Sequence, residues 1–172
     1  MIYHPIEPVY DSQSRILILG SFPSVKSREA MFFYGHPQNR FWKVTAAVFG
    51  CRVPQTIEEK RSFLLTNGIA VWDVIASCEI EGSSDSSIRN VTPNDLSQIL
   101  NAAPVEQIFV NGKTALKYYE KYLRPVTGRE AVCLPSTSPA NAAWNLEKLF
   151  QAWSIILPEY HAARTCNLFE IC

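Results

Sequence analysis

At 172 residues the chain has room for one domain around one core, and its 16 basic and 16 acidic side chains cancel, so bulk charge does not bind it to nucleic acid or a membrane surface. Apolar residues make up 47% and glycines number only 7, which excludes a disordered or fibrous chain. No run reaches the roughly eighteen apolar residues of a membrane span. The start, Met1-Ile2-Tyr3-His4, has neither the basic flank nor the apolar stretch of a secretory signal, so a cytoplasmic location is expected. Cys51, Cys78, Cys133, Cys166 and Cys172 are odd in number and widely spaced, which argues against a disulfide framework, a zinc site or an iron–sulfur cluster. Reduced thiols are expected.

In chain order, the first element is an apolar strand at 16–19 that stops at Gly20-Ser21-Phe22-Pro23-Ser24, a turn that leaves N–H groups facing a ligand. The aromatic cluster Phe32-Phe33-Tyr34 follows. Next comes Gly35-His36-Pro37-Gln38-Asn39-Arg40-Phe41-Trp42, where Pro37 suits the first turn of a helix at 38–49. Further helical patterns lie at 57–66, 93–101, 113–122 and 140–156, the second of these with Thr92 placed to cap before Pro93. Strands are expected at 69–72, 107–110 and 131–134. Strands alternating with helices predict a parallel, doubly wound α/β sheet, whose right-handed crossovers align the polar strand ends on one edge. The polar loop at 79–90 is expected either to move or to touch a ligand. Residues 1–158 are expected to form one domain and residues 159–172 a tail of unassigned role.

Ligands bind beyond the carboxyl ends of such strands. A glycine turn flanked by flat aromatics suits a flat ligand, and a nucleobase is the obvious candidate, although aromatics at this spacing are often plain core. Asp73 at the second strand end is placed to accept a ring N–H, with capping as the plainer alternative. Asn111-Gly112-Lys113-Thr114 ends the third strand and opens a helix, but without the earlier glycine of a phosphate loop. Leu134-Pro135-Ser136-Thr137-Ser138-Pro139-Ala140-Asn141 ends the fourth with hydroxyls suited to phosphate oxygens. Arg15, Lys26, Arg28, Arg40, Lys43 and Arg52, opposed in their stretch only by Glu29, supply a local basic rim.

The Gly20 turn with its His-Pro-Gln-Asn-Arg-Phe-Trp block, and the Pro-Ser loop at the fourth strand, in that order, resemble the two motifs of the uracil-DNA glycosylase superfamily. The resemblance covers residues 15 to 156. It implies a three-layer α/β/α sandwich with a central four-stranded parallel sheet. Two departures from the uracil enzymes stand out: Phe22 replaces their acidic residue and Leu134 replaces their histidine. The Gly-Ser-Phe-Pro-Ser turn, Trp72-Asp73-Val74 and Ser136-Thr137-Ser138-Pro139-Ala140-Asn141 are similar to the hypoxanthine-DNA glycosylase branch, which acts on deoxyinosine. That likeness implies catalysis by Asn39. It also implies base binding by Gly20, Ser21, Phe22, Phe33, Tyr34, Asp73 and Asn111, with Phe22 stacking on one face of the base and Phe33 or Tyr34 closing the other. Ser24, Lys26, Arg40, Ser136, Thr137, Ser138 and Asn141 are then expected to hold DNA. His36 is expected to be a structural turn residue. No lysine sits in the motifs as an amine nucleophile, so a monofunctional enzyme is expected. A monomer is also expected, with DNA carrying a deaminated base as its partner and no metal, cofactor or membrane contact. Two alternatives stay open: a uracil glycosylase, and an inactive base-binding module on the same fold.

Overall fold

The computed structural model describes residues 1–159. The elements run β1 (Ile2–Tyr3), β2 (Ile16–Gly20), α1 (Val25–Ala30), α2 (Phe41–Val48), α3 (Ile57–Thr66), β3 (Ile69–Asp73), β4 (Ile75–Glu79), β5 (Arg89–Pro93), α4 (Ser97–Ala102), β6 (Gln107–Asn111), α5 (Lys113–Tyr118), α6 (Arg124–Thr127), β7 (Ala131–Leu134) and α7 (Leu146–Trp153). A four-stranded parallel sheet in the order β3-β2-β6-β7 forms the middle of a three-layer α/β/α arrangement. β2 and β3 are buried at every position, as strands covered on both faces require. The helices α2 and α7 pack together, α3 lies against β3, and α5 against β6 and β7. The four expected strands are all present, each within a residue of its predicted span.

The chain also builds a second, antiparallel sheet in the order β1-β4-β5, which the sequence pattern does not reveal. β1 has only two residues, and β5 has none that is fully buried, so neither carries an apolar run. Thr92 and Pro93 close β5 instead of opening a helix. Pro93 is tolerated because β5 is an edge strand bonded only to β4. β4 follows β3 across Val74 alone, and Val74 N still donates to Gly20 O at 2.8 Å. Asp73 therefore sits where the chain passes from one sheet to the other.

Other boundaries shift for local reasons. Residues 36–39 make a turn, with Asn39 N donating to His36 O, so α2 starts at Phe41 and Pro37 lies outside it. Residues 138–144 are likewise turns, and α7 starts only after Asn145, whose side chain accepts from Lys148 N at 2.9 Å. Past α5 the helix widens to a π turn at Tyr119–Leu123 before Pro125, which has no N–H to continue the ladder. The tail expected at 159–172 lies, apart from Glu159, outside the described residues.

Candidate active site

The strand ends of the parallel sheet converge on a cavity of about 460 Å³, within the roughly 300–1,000 Å³ of small-molecule sites. Gly20 is what lets the floor close. A side chain there would collide with Asp73 Oδ1 and come within 3.4 Å of Tyr34 Oη. Gly112 does the same for the far wall: it has a φ of 94°, and a side chain would press on Ser136 Cβ at 3.0 Å.

Asp73 is 4% exposed, and its Oδ2 lies 2.7 Å from His4 Nε2. His4 reaches it from the amino terminus because β1 pairs with β4 and His4 N donates to Ala76 O at 2.8 Å. Ile6 N, which can only donate, gives its hydrogen to His4 Nδ1 at 3.2 Å. That fixes Nδ1 as an acceptor and Nε2–H as the donor to Asp73. Nothing in the sequence signals this pair, since its halves are 69 positions apart and the joining strand is two residues long.

Asn39 also has its amide orientation fixed. Phe41 N donates to Asn39 Oδ1 at 2.9 Å, so that atom is the oxygen. The Thr137 hydroxyl, which accepts from Asn111 Nδ2 at 3.0 Å, donates its own hydrogen to Asn39 Oδ1 at 2.9 Å. Asn111 Oδ1 in turn accepts from Thr137 N at 3.0 Å. Both lone pairs of Asn39 Oδ1 are used, which leaves Nδ2–H as the part of the amide free to act in the cavity.

Thr137 is fully buried, so it does not offer phosphate the donor expected of it; it positions Asn39 instead. Arg40 is likewise drawn inward. Its guanidinium donates to the carbonyls of Ser138 at 2.8 Å and Asn141 at 3.1 Å, and also to those of Thr137 and Trp144. Asn141 braces the same loop, its Nδ2 donating to Ser136 O at 3.0 Å. Neither Arg40 nor Asn141 lines the cavity, and Lys26, paired with Glu29 at 3.3 Å on the surface, also lies outside it. Ser136 and Ser138 do line it. Each hydroxyl accepts a backbone N–H, from Ser138 and Ala140 respectively, and keeps its own hydrogen for an acceptor.

Phe22 lines the cavity at 8% exposure, edge-on to His4 at 5.9 Å, with the Arg28 guanidinium 5.8 Å from its ring centre. Phe33, at 2%, is mainly core. Tyr34 is stacked on Phe41 at 3.9 Å and 14°, so that ring face is not available to a base. Burial first, and Asp73 second, push the Tyr34 hydroxyl pKa far up, against a weaker pull from Asn111. The oxygen makes no hydrogen bond of acceptable geometry. Ser21 lines the floor, and Ser24 caps α1 by accepting from Ser27 N at 3.1 Å. His36 also lines the cavity, and its Nδ1 accepts from Gln38 N at 3.1 Å within the turn.

The polar loop at 79–90 closes over the site. Ser83 Oγ accepts from Val25 N at 2.9 Å and Arg28 donates to Gly82 O at 3.0 Å. Asp85 overhangs the cavity, where crowding by protein raises its carboxyl pKa, hydrogen bonds from Ser21 and Thr114 oppose this, and Asp73 adds to it. Among the described residues no group of three His, Cys, Asp or Glu could hold a metal. No described helix is long and apolar enough to cross a membrane.

The model of the uracil DNA glycosylase superfamily matches residues 7–157. The chain belongs to this superfamily. Two Methanosarcina proteins named hypoxanthine DNA glycosylase are similar to it. The one from Methanosarcina acetivorans is 38% identical over 143 residues, covering 82% of this chain and 89% of that protein. The one from Methanosarcina barkeri is 35% identical over 136 residues, covering 78% and 85%. A solution NMR structure from Methanosarcina acetivorans, of a protein provisionally assigned as a uracil DNA glycosylase, superposes with a TM-score of 0.75 at 34% identity, covering 90% of this chain and 98% of that one.

Proposed function

We propose that this superfamily member is a monofunctional DNA repair glycosylase that flips deoxyinosine out of the duplex and hydrolyses its bond to hypoxanthine. The single observation that carries the reading is the fixed amide of Asn39 in the cavity that Phe22 also lines, Phe22 standing where a uracil enzyme holds its acid. Both Methanosarcina relatives are named for the same activity, which supports it.

The N9–C1′ bond breaks with its electron pair leaving on the purine, and the sugar becomes oxocarbenium-like. Asn39 Nδ2–H holds a water by its oxygen below C1′; that water adds to the cation, its proton passes to solvent, and the purine takes one up. A cation so reactive needs no strong base, only a placed water, and placement of this kind supplies much of a barrier reduction. Phe22 stacks on the base and Asp73 Oδ1 accepts its N1–H. Ser136 and Ser138, with their hydroxyl hydrogens unspent, donate to backbone phosphates. Incubation with duplexes containing deoxyinosine should release hypoxanthine and leave an abasic site that breaks only on alkali treatment. Strand breakage without alkali would refute the monofunctional assignment.

A further inference from the structure

Among the described residues three buried side-chain polar atoms lack a partner: Arg28 Nε, Trp42 Nε1 and Tyr34 Oη. Only Tyr34 lines the cavity. A buried hydroxyl left unbonded is costly, so a donor with no well-formed bond at a ligand cavity, with Asn111 as its polar neighbour, is placed to bond what enters there. Tyr34 is also held at a φ of 52°, a left-handed backbone that side-chain-bearing residues avoid. Its ring is clamped on Phe41 at 3.9 Å, which leaves the hydroxyl little freedom to turn elsewhere. Tyr34 Oη and Asp73 Oδ1 both lie within 3.4 Å of the point where a Gly20 side chain would begin, so one planar edge can meet both.

We propose, resting on the hypoxanthine reading above, that Tyr34 donates its hydroxyl hydrogen to O6 of the flipped base while Asp73 Oδ1 accepts from N1–H, with His4 as the positioning residue. Deamination of adenine creates this edge: the amino group becomes a carbonyl and N1 gains a hydrogen. Adenine would set its N1 lone pair against the Asp73 carboxylate, and its edge is rejected. His4 Nε2–H occupies Oδ2, so Oδ1 is left as the acceptor for the base. Guanine shares the edge, but its pairing with cytosine keeps it in the stack. As the glycosidic electrons spread through the departing purine, charge gathers on O6 and the Tyr34 hydrogen bond strengthens, so the contact serves the transition state more than the ground state.

The test uses duplexes carrying hypoxanthine or unsubstituted purine, which lacks both O6 and N1–H, on a 2′-fluoroarabinose sugar that resists cleavage. Wild type should bind hypoxanthine the more tightly. Tyr34→Phe, which deletes one oxygen and keeps the stacked ring, should narrow that preference by about tenfold. His4→Ala should narrow it too, with partial rescue by His4→Gln, whose amide still presents an N–H to Asp73. Asp73→Asn, able to turn an N–H toward a bare N1, should shift preference toward purine. A Tyr34→Phe protein that keeps the wild-type preference, or loses equally on both bases, overturns the assignment. Preference for hypoxanthine in binding with no release from ordinary deoxyinosine would instead sink the enzymatic reading and leave this recognition standing.

Discussion

Asn39 does two jobs with one amide. Its oxygen starts α2 through Phe41 N and holds the Thr137 hydroxyl, and its nitrogen is left over for the cavity, where we propose that it holds the attacking water. Asn39→Asp separates them, because a carboxylate keeps both acceptor bonds and loses only the donor. Single-turnover release of hypoxanthine should then fall by roughly 100- to 1,000-fold, while the melting temperature stays close to wild type. Retention of near wild-type rates would reassign catalysis to another group. Thr137→Val keeps the shape and strands Asn111 Nδ2. It should cost about 1–3 kcal/mol in denaturant unfolding and slow base release without weakening DNA binding. The motif resemblance makes the identity of Asn39 legible in the sequence. Its orientation is not, since that depends on a hydroxyl 98 positions away. Thr137, read as a phosphate ligand among three neighbouring hydroxyls, is held inward by its bonds to Asn111 and Asn39, a detail no spacing rule supplies.

At the scale of elements, the Pro-Ser loop and the start of α2 are one unit bolted by Arg40. The four carbonyls that Arg40 holds belong to residues 137–144, and loops of this length need such ties when they carry a site. Arg40→Ala should therefore loosen the loop and slow catalysis while leaving the salt dependence of DNA binding unchanged. Lys26→Ala, on the exposed rim, should reduce that dependence by about one phosphate contact. A reduced salt slope in Arg40→Ala would restore its role as a direct phosphate ligand. Helix α3 gives an independent check on local stability. Thr56 accepts from Glu59 N at 3.1 Å, and Glu59 Oε2 accepts from Gln55 N at 2.7 Å and Thr56 N at 3.4 Å. The Gln55 bond first, and the Thr56 bond second, lower the Glu59 pKa below its ordinary 4.5. A depressed carboxylate stabilises above its unfolded pKa and ceases to do so as pH falls through the folded value. The thermal stability gap between wild type and Glu59→Gln should thus be present at neutral pH and close in acid below 4.5. The buried strands were legible because their apolar runs are unbroken, whereas β1 and β5 were not: one is two residues long, and the other shows mostly exposed side chains.

For the whole molecule, balanced charge fits an enzyme that grips DNA through a small rim and a loop of hydroxyls, with specificity held in the cavity. The α/β architecture follows from alternating elements, and the site falls at the strand ends because ligands of such sheets gather there. What the linear pattern hides is the second sheet, which carries His4 to Asp73 and so completes the wall that we propose reads the base. That wall makes the account testable in one assay. Under single-turnover conditions, the wild-type protein should release hypoxanthine from duplexes containing deoxyinosine at least tenfold faster than it releases uracil from matched duplexes, a difference of about 1.4 kcal/mol in barrier. Faster release of uracil, or release of neither base, would contradict the account.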